Sequence, residues 1–178
     1  IELEGGRENM TMAEIYKIAG FNKVEKINIG FVTKFLFWLR ELIGRAMGWD
    51  DDKELLESNS YISRLSDDQK ADSLLESGQM SDDTRILYCY KDELLGEIIN
   101  KTVHCFWLMA SEKTKAGYNL ISAVYVKRLN WRTPIYMALV TPMLKWIIYP
   151  SILKDVKRRW AREFPDNTAD LQDELARR

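Results

Sequence analysis

Residues 85–127 decide the fold, because they contain three runs rich in residues that favour strands: RILYCY at 85–90, EIINKTVHCFWLM at 97–109 and YNLISAVYVK at 118–127. The sequences between the runs contain Lys-Asp-Glu and Lys-Ala-Gly, which are typical of turns. A parallel pairing would need a crossover of about a dozen residues, so connections this short predict antiparallel neighbours. The three runs therefore predict an antiparallel meander.

Helix signals precede the strands. Thr11 and Glu14 form a capping box for a short helix through Ala19, which Gly20 would end. Apolar residues at helical spacing predict a second, amphipathic helix between residues 28 and 48. A further capping box follows, and it predicts a third helix that ends near a glycine (Ser66, Gln69 and Gly78).

A long apolar stretch at residues 135–153 follows the strands, with Lys145 as its only charge. Prolines divide it into segments of about two turns, and Pro134 is placed as the first residue of a helix. We therefore expect a kinked helix buried in the core rather than a membrane span. The apolar periodicity continues to Phe164, and Pro165 would end the helix.

This order of elements predicts an α+β fold, in which a curved antiparallel sheet grips a long C-terminal helix and further helices lie on the N-terminal side. We expect a cavity between the sheet and that helix. Residues 11–164 are predicted to form a single domain. Residues 1–10 are expected to be a disordered or non-native leader, and residues 165–178 a polar tail.

The net charge of −1 arises from two opposed segments. Residues 50–83 hold 11 acidic and 3 basic residues, whereas residues 113–162 hold 11 basic residues and one acid. The near-neutral total argues against a general nucleic-acid binder, while the basic half would attract an anionic partner unless the acidic segment lies beside it. Two cysteines cannot form a disulfide framework, and no secretory signal opens the sequence, so we expect a cytoplasmic location.

Several short runs resemble a mostly bacterial family known only as a domain of unknown function; they lie at residues 85–88, 93–97, 100–104, 123–126, 136–139 and 148–150. Members of that family occur alone or behind a short-chain-dehydrogenase-like NAD-binding domain. The family is similar to the START-like (SRPBCC, helix-grip) superfamily, whose members hold hydrophobic ligands between a curved sheet and the C-terminal helix. This sequence has Thr-Pro-Met-Leu-Lys at residues 141–145, where the resemblance implies an Asp-Pro-Phe-Arg-Arg-like run.

The best polar cluster lies in the central run. As a single strand, this run would direct Asn100, Thr102 and His104 to one face and Ile99 and Cys105 to the other. His104 is the only histidine, so any imidazole acid/base chemistry must use it. Further candidates for ligand contact are Glu97, Tyr125 and Tyr136. The alternative is that these polar residues hydrogen-bond to each other and to the C-terminal helix, or face solvent.

Three basic residues near the junction between strand and helix are candidates for contact with an anionic group: Lys127, Arg128 and Arg132. The spacing of His, Cys and carboxylate residues does not match a zinc or EF-hand site, so no metal is expected. A glycine-rich phosphate loop is absent from the sequence, which disfavours binding of NAD or ATP, and no cofactor is expected.

Three hypotheses follow. The first is a non-enzymatic module that binds a hydrophobic or amphipathic small molecule in the cavity. The second is an enzyme of the cyclase, dehydratase or hydrolase kind with His104 as general acid/base. The third is a partner module for a short-chain-dehydrogenase-like oxidoreductase, or a peripheral membrane protein that uses the basic C-terminal helix.

Overall fold

The computed structural model describes residues 1–21, 59–81, 84–99, 103–129 and 131–165. The fold is α+β, with a curled antiparallel half-barrel sheet and a C-terminal helix. The six strands are β1 (Glu2–Glu4), β2 (Met80–Ser81), β3 (Thr84–Cys89), β4 (Glu93–Ile99), β5 (Val103–Lys113) and β6 (Gly117–Arg128). They lie in the order β1-β6-β5-β4-β3-β2, and each neighbouring pair is antiparallel, so the predicted meander is confirmed.

The described helical elements are α1 (Met12–Ala19), a 3₁₀ turn (Tyr61–Arg64), α2 (Asp67–Ala71), α3 (Arg132–Met143), a π segment (Leu144–Ile148) and α4 (Tyr149–Glu163). Both predicted capping boxes are confirmed, at Thr11 and at Ser66. Gly20 ends α1 with φ 82°, a left-handed conformation that glycine adopts without strain. The prediction that the third helix continues to Gly78 is wrong, because α2 ends at Ala71. The predicted helix at residues 28–48 lies outside the described residues.

The central run is two strands rather than one. β4 ends at Ile99 and β5 begins at Val103, while residues 100–102 lie outside the described residues. Ile99 pairs with His104, and cross-strand partners point to the same face of a sheet. The prediction that these two residues face opposite ways is therefore wrong, because a reversal of the chain resets the alternation of side chains.

The leader expected to be disordered over residues 1–10 is ordered. Glu2, Leu3 and Glu4 pair with β6, and Leu3 is buried in the core. The indole nitrogen of Trp160 donates to the carbonyl oxygen of Glu4 at 2.8 Å. A three-residue strand is too short to produce a periodic pattern, and its order comes from these tertiary contacts. β1 pairs with β6 through Asn119, and the backbone of Ile1 exchanges two hydrogen bonds of 2.8 Å with Leu120.

The C-terminal helix is continuous from Arg132 to Glu163, because α3, the π segment and α4 follow one another without a gap. The prediction that prolines divide it is therefore wrong. Pro150 is the second residue of α4, directly after the π segment, so it lies within the continuous helix. Pro142 lies inside α3, directly before the π segment, and a wider turn of this kind accommodates a proline in a helix. Pro134 is the third residue of α3 and not the first.

Burial of this helix also differs from the prediction. Its stretch Tyr136–Glu163 is long enough and apolar enough to cross a membrane, judged by length and composition alone, and none of its most apolar 18 residues is buried. The exposed side chain of Trp146 has 80% of its surface accessible. Val156 and Trp160, near the end of α4, are buried in the core. The core therefore contains the amphipathic end of the helix and not its most apolar part.

The curled sheet has an inner and an outer face. Residues at alternate positions of β4, β5 and β6, such as Leu94, Met109 and Leu120, are buried in one cluster with α1 and with Val156 and Trp160 of α4. We call this the inner face. The residues between them form the outer face, which is the face turned away from α1 and α4.

Candidate functional site

Glu97 and His104 lie on the outer face of the sheet. Glu97 pairs with Phe106, and His104 pairs with Ile99 and with Lys127, so all of these side chains share one face. Cys105, the next residue along β5, points to the inner face. One of the two interpretations of the sequence placed His104 in a cavity against the C-terminal helix, and the other had the polar residues hydrogen-bond to each other. The register places His104 on the opposite side of the sheet from α4.

The Glu97 carboxylate is completely buried and accepts three hydrogen bonds. His104 Nε2 lies 3.2 Å from Glu97 Oε2, and the Tyr61 backbone N–H donates to the same oxygen at 3.0 Å. The Ser60 hydroxyl donates to Glu97 Oε1. A buried carboxylate is tolerated only when donors of this kind compensate for lost hydration. Glu97 therefore connects β4, β5 and the segment that begins the 3₁₀ turn.

His104 is 1% exposed, and its surroundings favour the neutral imidazole. Burial lowers the pKa of His104, and the positive charges of Lys127 and Arg64 lower it further, whereas the Glu97 carboxylate raises it. Because carboxylate Oε2 only accepts, a neutral His104 donates from Nε2. Glu97 and His104 therefore form a buried hydrogen bond that stabilises the fold. The imidazole packs against Tyr61 and Phe106, with ring-centroid distances of 5.3 and 4.4 Å.

The Tyr61 ring packs against His104 and contacts two cationic side chains. The guanidinium carbon of Arg64 lies 3.8 Å from the centre of the Tyr61 ring, and Lys127 Nζ lies 5.4 Å from it. Lys127 Nζ also donates to the Tyr61 hydroxyl at 3.4 Å. Contact of a cation with the face of an aromatic ring is favourable in itself. Lys127 is therefore the one predicted anion contact that the structure joins to the Glu97–His104 pair.

The inner face has a second notable region beside the buried core, towards the start of β5 and the end of β6. Cys105 and Trp107 of β5 lie there half-buried, and Val124, the partner of Trp107, is 43% exposed. Burial raises the pKa of Tyr149, the first residue of α4, and its interaction with Cys105 raises it further. Leu153, one turn later, is 43% exposed. We call this region the open end.

The other predicted residues that the structure describes lie outside the Glu97–His104 pair. Tyr125 lies on the outer face opposite Phe106 and is largely exposed. Tyr136 is half-buried on α3. Arg128 is exposed at the end of β6, and Arg132 is the first residue of α3. Asn100 and Thr102 lie outside the described residues.

Sequence reasoning missed Ser60, Tyr61 and Arg64. One signal was available, because Glu97 is the only charged residue in the otherwise apolar run at 94–99 and a buried carboxylate requires donors. That signal indicates that partners exist but does not identify them, since they lie more than 30 positions away. Within the described residues, no group of three or more His, Cys, Asp and Glu side chains is arranged to hold a metal ion.

Comparison with known proteins gives one result. Residues 2–151 match a family model described as "Protein of unknown function (DUF2867)", and this match covers most of the chain. No curated protein and no solved structure matches the chain. The chain belongs to the DUF2867 family, whose function is unknown.

Proposed function

We propose that the chain is a binding module for an apolar or amphipathic small molecule, held at the open end between the inner face of the sheet and the C-terminal helix. The single observation that carries the proposal is the incomplete burial of apolar side chains there. Val124 and Leu153 are each 43% exposed, although the same sheet and helix are closed against each other at Val156 and Trp160.

The chemistry of the open end supports an apolar ligand. Its side chains are a thiol, an indole, aliphatic groups and one phenol, and these bury apolar surface well. Burial raises the pKa of Cys105, so its thiol is neutral at physiological pH and adds no charge. Ligand sites in proteins are usually of this kind, mostly apolar with few polar groups. The Tyr149 hydroxyl and the Ser122 hydroxyl, which accepts from the Trp107 indole at 2.7 Å, supply polar groups for an amphipathic ligand.

The proposal is tested with N-phenyl-1-naphthylamine, an uncharged probe whose fluorescence rises in an apolar site. We expect saturable binding and a higher melting temperature in its presence, because a ligand that binds only the folded state stabilises it. Val124→Lys places an ammonium group at the open end and should weaken binding by about tenfold, or about 1.4 kcal/mol.

Ile121→Lys is the matched control. Ile121 lies on the same strand, is exposed to a similar extent at 49%, and points to the outer face because it pairs with Ala110. This variant should bind the probe as the parent does. Absence of saturable binding, or an equal loss in both folded variants, would refute the proposal.

A second candidate is peripheral attachment to an anionic membrane surface. The observation that favours it is the exposure of Trp146 on the same continuous helix as the exposed basic residues in the middle of α4. Tryptophan is favoured at the membrane interface, and Lys154 and Lys157 would contact anionic headgroups. Amphipathic helices with a basic polar face bind membranes in this way.

Sedimentation with phosphatidylcholine vesicles, with and without phosphatidylserine, tests this second candidate. Binding should require phosphatidylserine, weaken at high salt and fall in Trp146→Ala. The control Lys115→Gln removes a charge in the β5–β6 turn and should change little. Binding that ignores phosphatidylserine and salt would rule the candidate out.

The enzymatic hypothesis gains no support from the position of His104, because the imidazole is buried on the outer face and bonded to Glu97. Partnership with an oxidoreductase stays a prediction from the family resemblance.

A further inference from the structure

The outer face brings two cations from distant parts of the sequence to one aromatic ring. Arg64 belongs to the 3₁₀ turn and Lys127 to β6, and both contact Tyr61, at 3.8 and 5.4 Å from its ring centre. Only the tertiary fold creates this arrangement. Arg64 and Lys127 are both exposed, so an ion in solution can reach them.

Neither cation has an acidic partner in the part of the chain that the structure describes; the ion pairs found there involve other residues. Two like charges near one ring repel each other, and an anion between them would relieve that repulsion. The Tyr61 hydroxyl accepts from Lys127, which leaves its own hydrogen free to donate.

We propose that Arg64, Lys127 and Tyr61 form a binding site for a phosphate group, carried by a small molecule or by a lipid headgroup. The guanidinium offers two parallel N–H donors that match the geometry of a phosphate, the ammonium adds a point charge, and the phenol adds a neutral donor. This site lies on the outer face and is independent of the ligand site at the open end.

The buried His104 reports on this site. Arg64 and Lys127 lower the pKa of His104, so an anion that neutralises them should raise it. The other groups that face His104 are the Glu97 carboxylate, the edge of the Tyr61 ring and the Phe106 ring, and Arg85 pairs with Glu97 on the same face.

The experiment follows the imidazole resonances of His104 by NMR, in a chain whose only histidine makes the assignment unambiguous. Inorganic phosphate is titrated against chloride at matched ionic strength. We expect phosphate to raise the pKa of His104 saturably, and chloride to leave it nearly unchanged.

Arg64→Gln and Lys127→Gln should each weaken phosphate binding by about fivefold or more, as loss of a charged partner predicts. Each should also raise the starting pKa of His104, which confirms that the variant is folded and that the removed charge acts on the imidazole. The control Lys115→Gln removes an exposed cation at the opposite end of the β5–β6 hairpin and should keep the parental response.

Soluble short-chain phosphatidic acid is titrated in parallel. A response to both ligands supports a site for the phosphate group itself, and a response to the lipid alone supports a headgroup site. Equal effects of phosphate and chloride without a lipid response, or an undiminished phosphate response in both Gln variants, would overturn the proposal.

Discussion

His104 Nε2 lies 3.2 Å from Glu97 Oε2, and this contact joins residues of two neighbouring strands that are not direct partners in the ladder. The same carboxylate accepts from Ser60 and from the Tyr61 backbone, so the segment that enters the 3₁₀ turn is fastened to the sheet through one side chain. Removal of that carboxylate should therefore loosen the outer face without touching the core on the inner face.

Glu97→Gln should lower the free energy of unfolding by about 1–3 kcal/mol, because the amide NH₂ replaces an acceptor and leaves a buried donor unpaired. Urea denaturation measures this change. Glu112→Gln, at an exposed position of β5, serves as the control and should stay within about 0.5 kcal/mol of the parent. Equal effects of the two substitutions would contradict the role assigned to Glu97.

Stability should fall as the pH falls below about 6.5, the ordinary pKa of histidine in an unfolded chain. The pKa of His104 is lowered in the folded state, so the unfolded chain binds a proton first and is favoured by acid. The contribution of the neutral His104 to the free energy of unfolding is complete above the pKa of histidine in the unfolded chain. It is lost as the pH falls through the lower pKa of His104 in the folded chain. His104→Gln, which keeps an N–H donor for Glu97, should flatten the dependence of unfolding free energy on pH between about 7 and 5. An unchanged slope would show that His104 is not the group responsible.

Trp160→Phe should destabilise the fold by about 1–3 kcal/mol, since it removes both packing and the donor to the Glu4 carbonyl. The Gly5 amide, which donates to Ala116 in the same part of the sheet, should exchange its hydrogen faster. Trp146→Phe makes the same chemical change at a side chain that is 80% exposed, and it should be nearly neutral. Similar losses in the two variants would argue against the placement of β1.

Gly117→Ala should also displace β1. Gly117 has φ 152°, and a Cβ atom there would lie 2.1 Å from the Leu3 carbonyl oxygen, which is far inside contact distance. We expect a loss of about 1–3 kcal/mol in a thermal or urea unfolding measurement. Ala116→Ser, at the adjacent exposed turn position, is the control and should stay within about 0.5 kcal/mol.

The sequence predicted the elements whose stability comes from local chemistry. Capping boxes at Thr11 and Ser66 marked two helix starts, and alternating β-branched and aromatic residues marked the strands at 85–90 and 118–127. The division of the central run into β4, which ends at Ile99, and β5, which begins at Val103, was missed, since Asn-Lys-Thr between two apolar runs continues a strand pattern as readily as it interrupts one. That single error reversed the predicted orientation of the side chains before it.

The candidate site was predictable only in part. The sequence marked Glu97 and His104 as candidates for ligand contact and Lys127 as a candidate for anion contact. The structure brings these three residues together. Their partners Ser60 and Tyr61 come from a segment whose own sequence shows no sign of a contact with β4. Contacts between distant segments depend on the packing of whole elements, and a single sequence contains no direct record of that packing.

The pairing of β1 has a consequence for the order in which the sheet can form. Ile1 exchanges backbone hydrogen bonds with Leu120, 119 positions away in the sequence, whereas β3 to β6 each pair with the strand next in sequence. A contact between residues this far apart closes a long loop, and loop closure costs more entropy as the loop grows. We therefore expect the meander of β3 to β6 to form first and β1 to join it last, so that the hydrogen bond from Trp160 to Glu4 completes the fold.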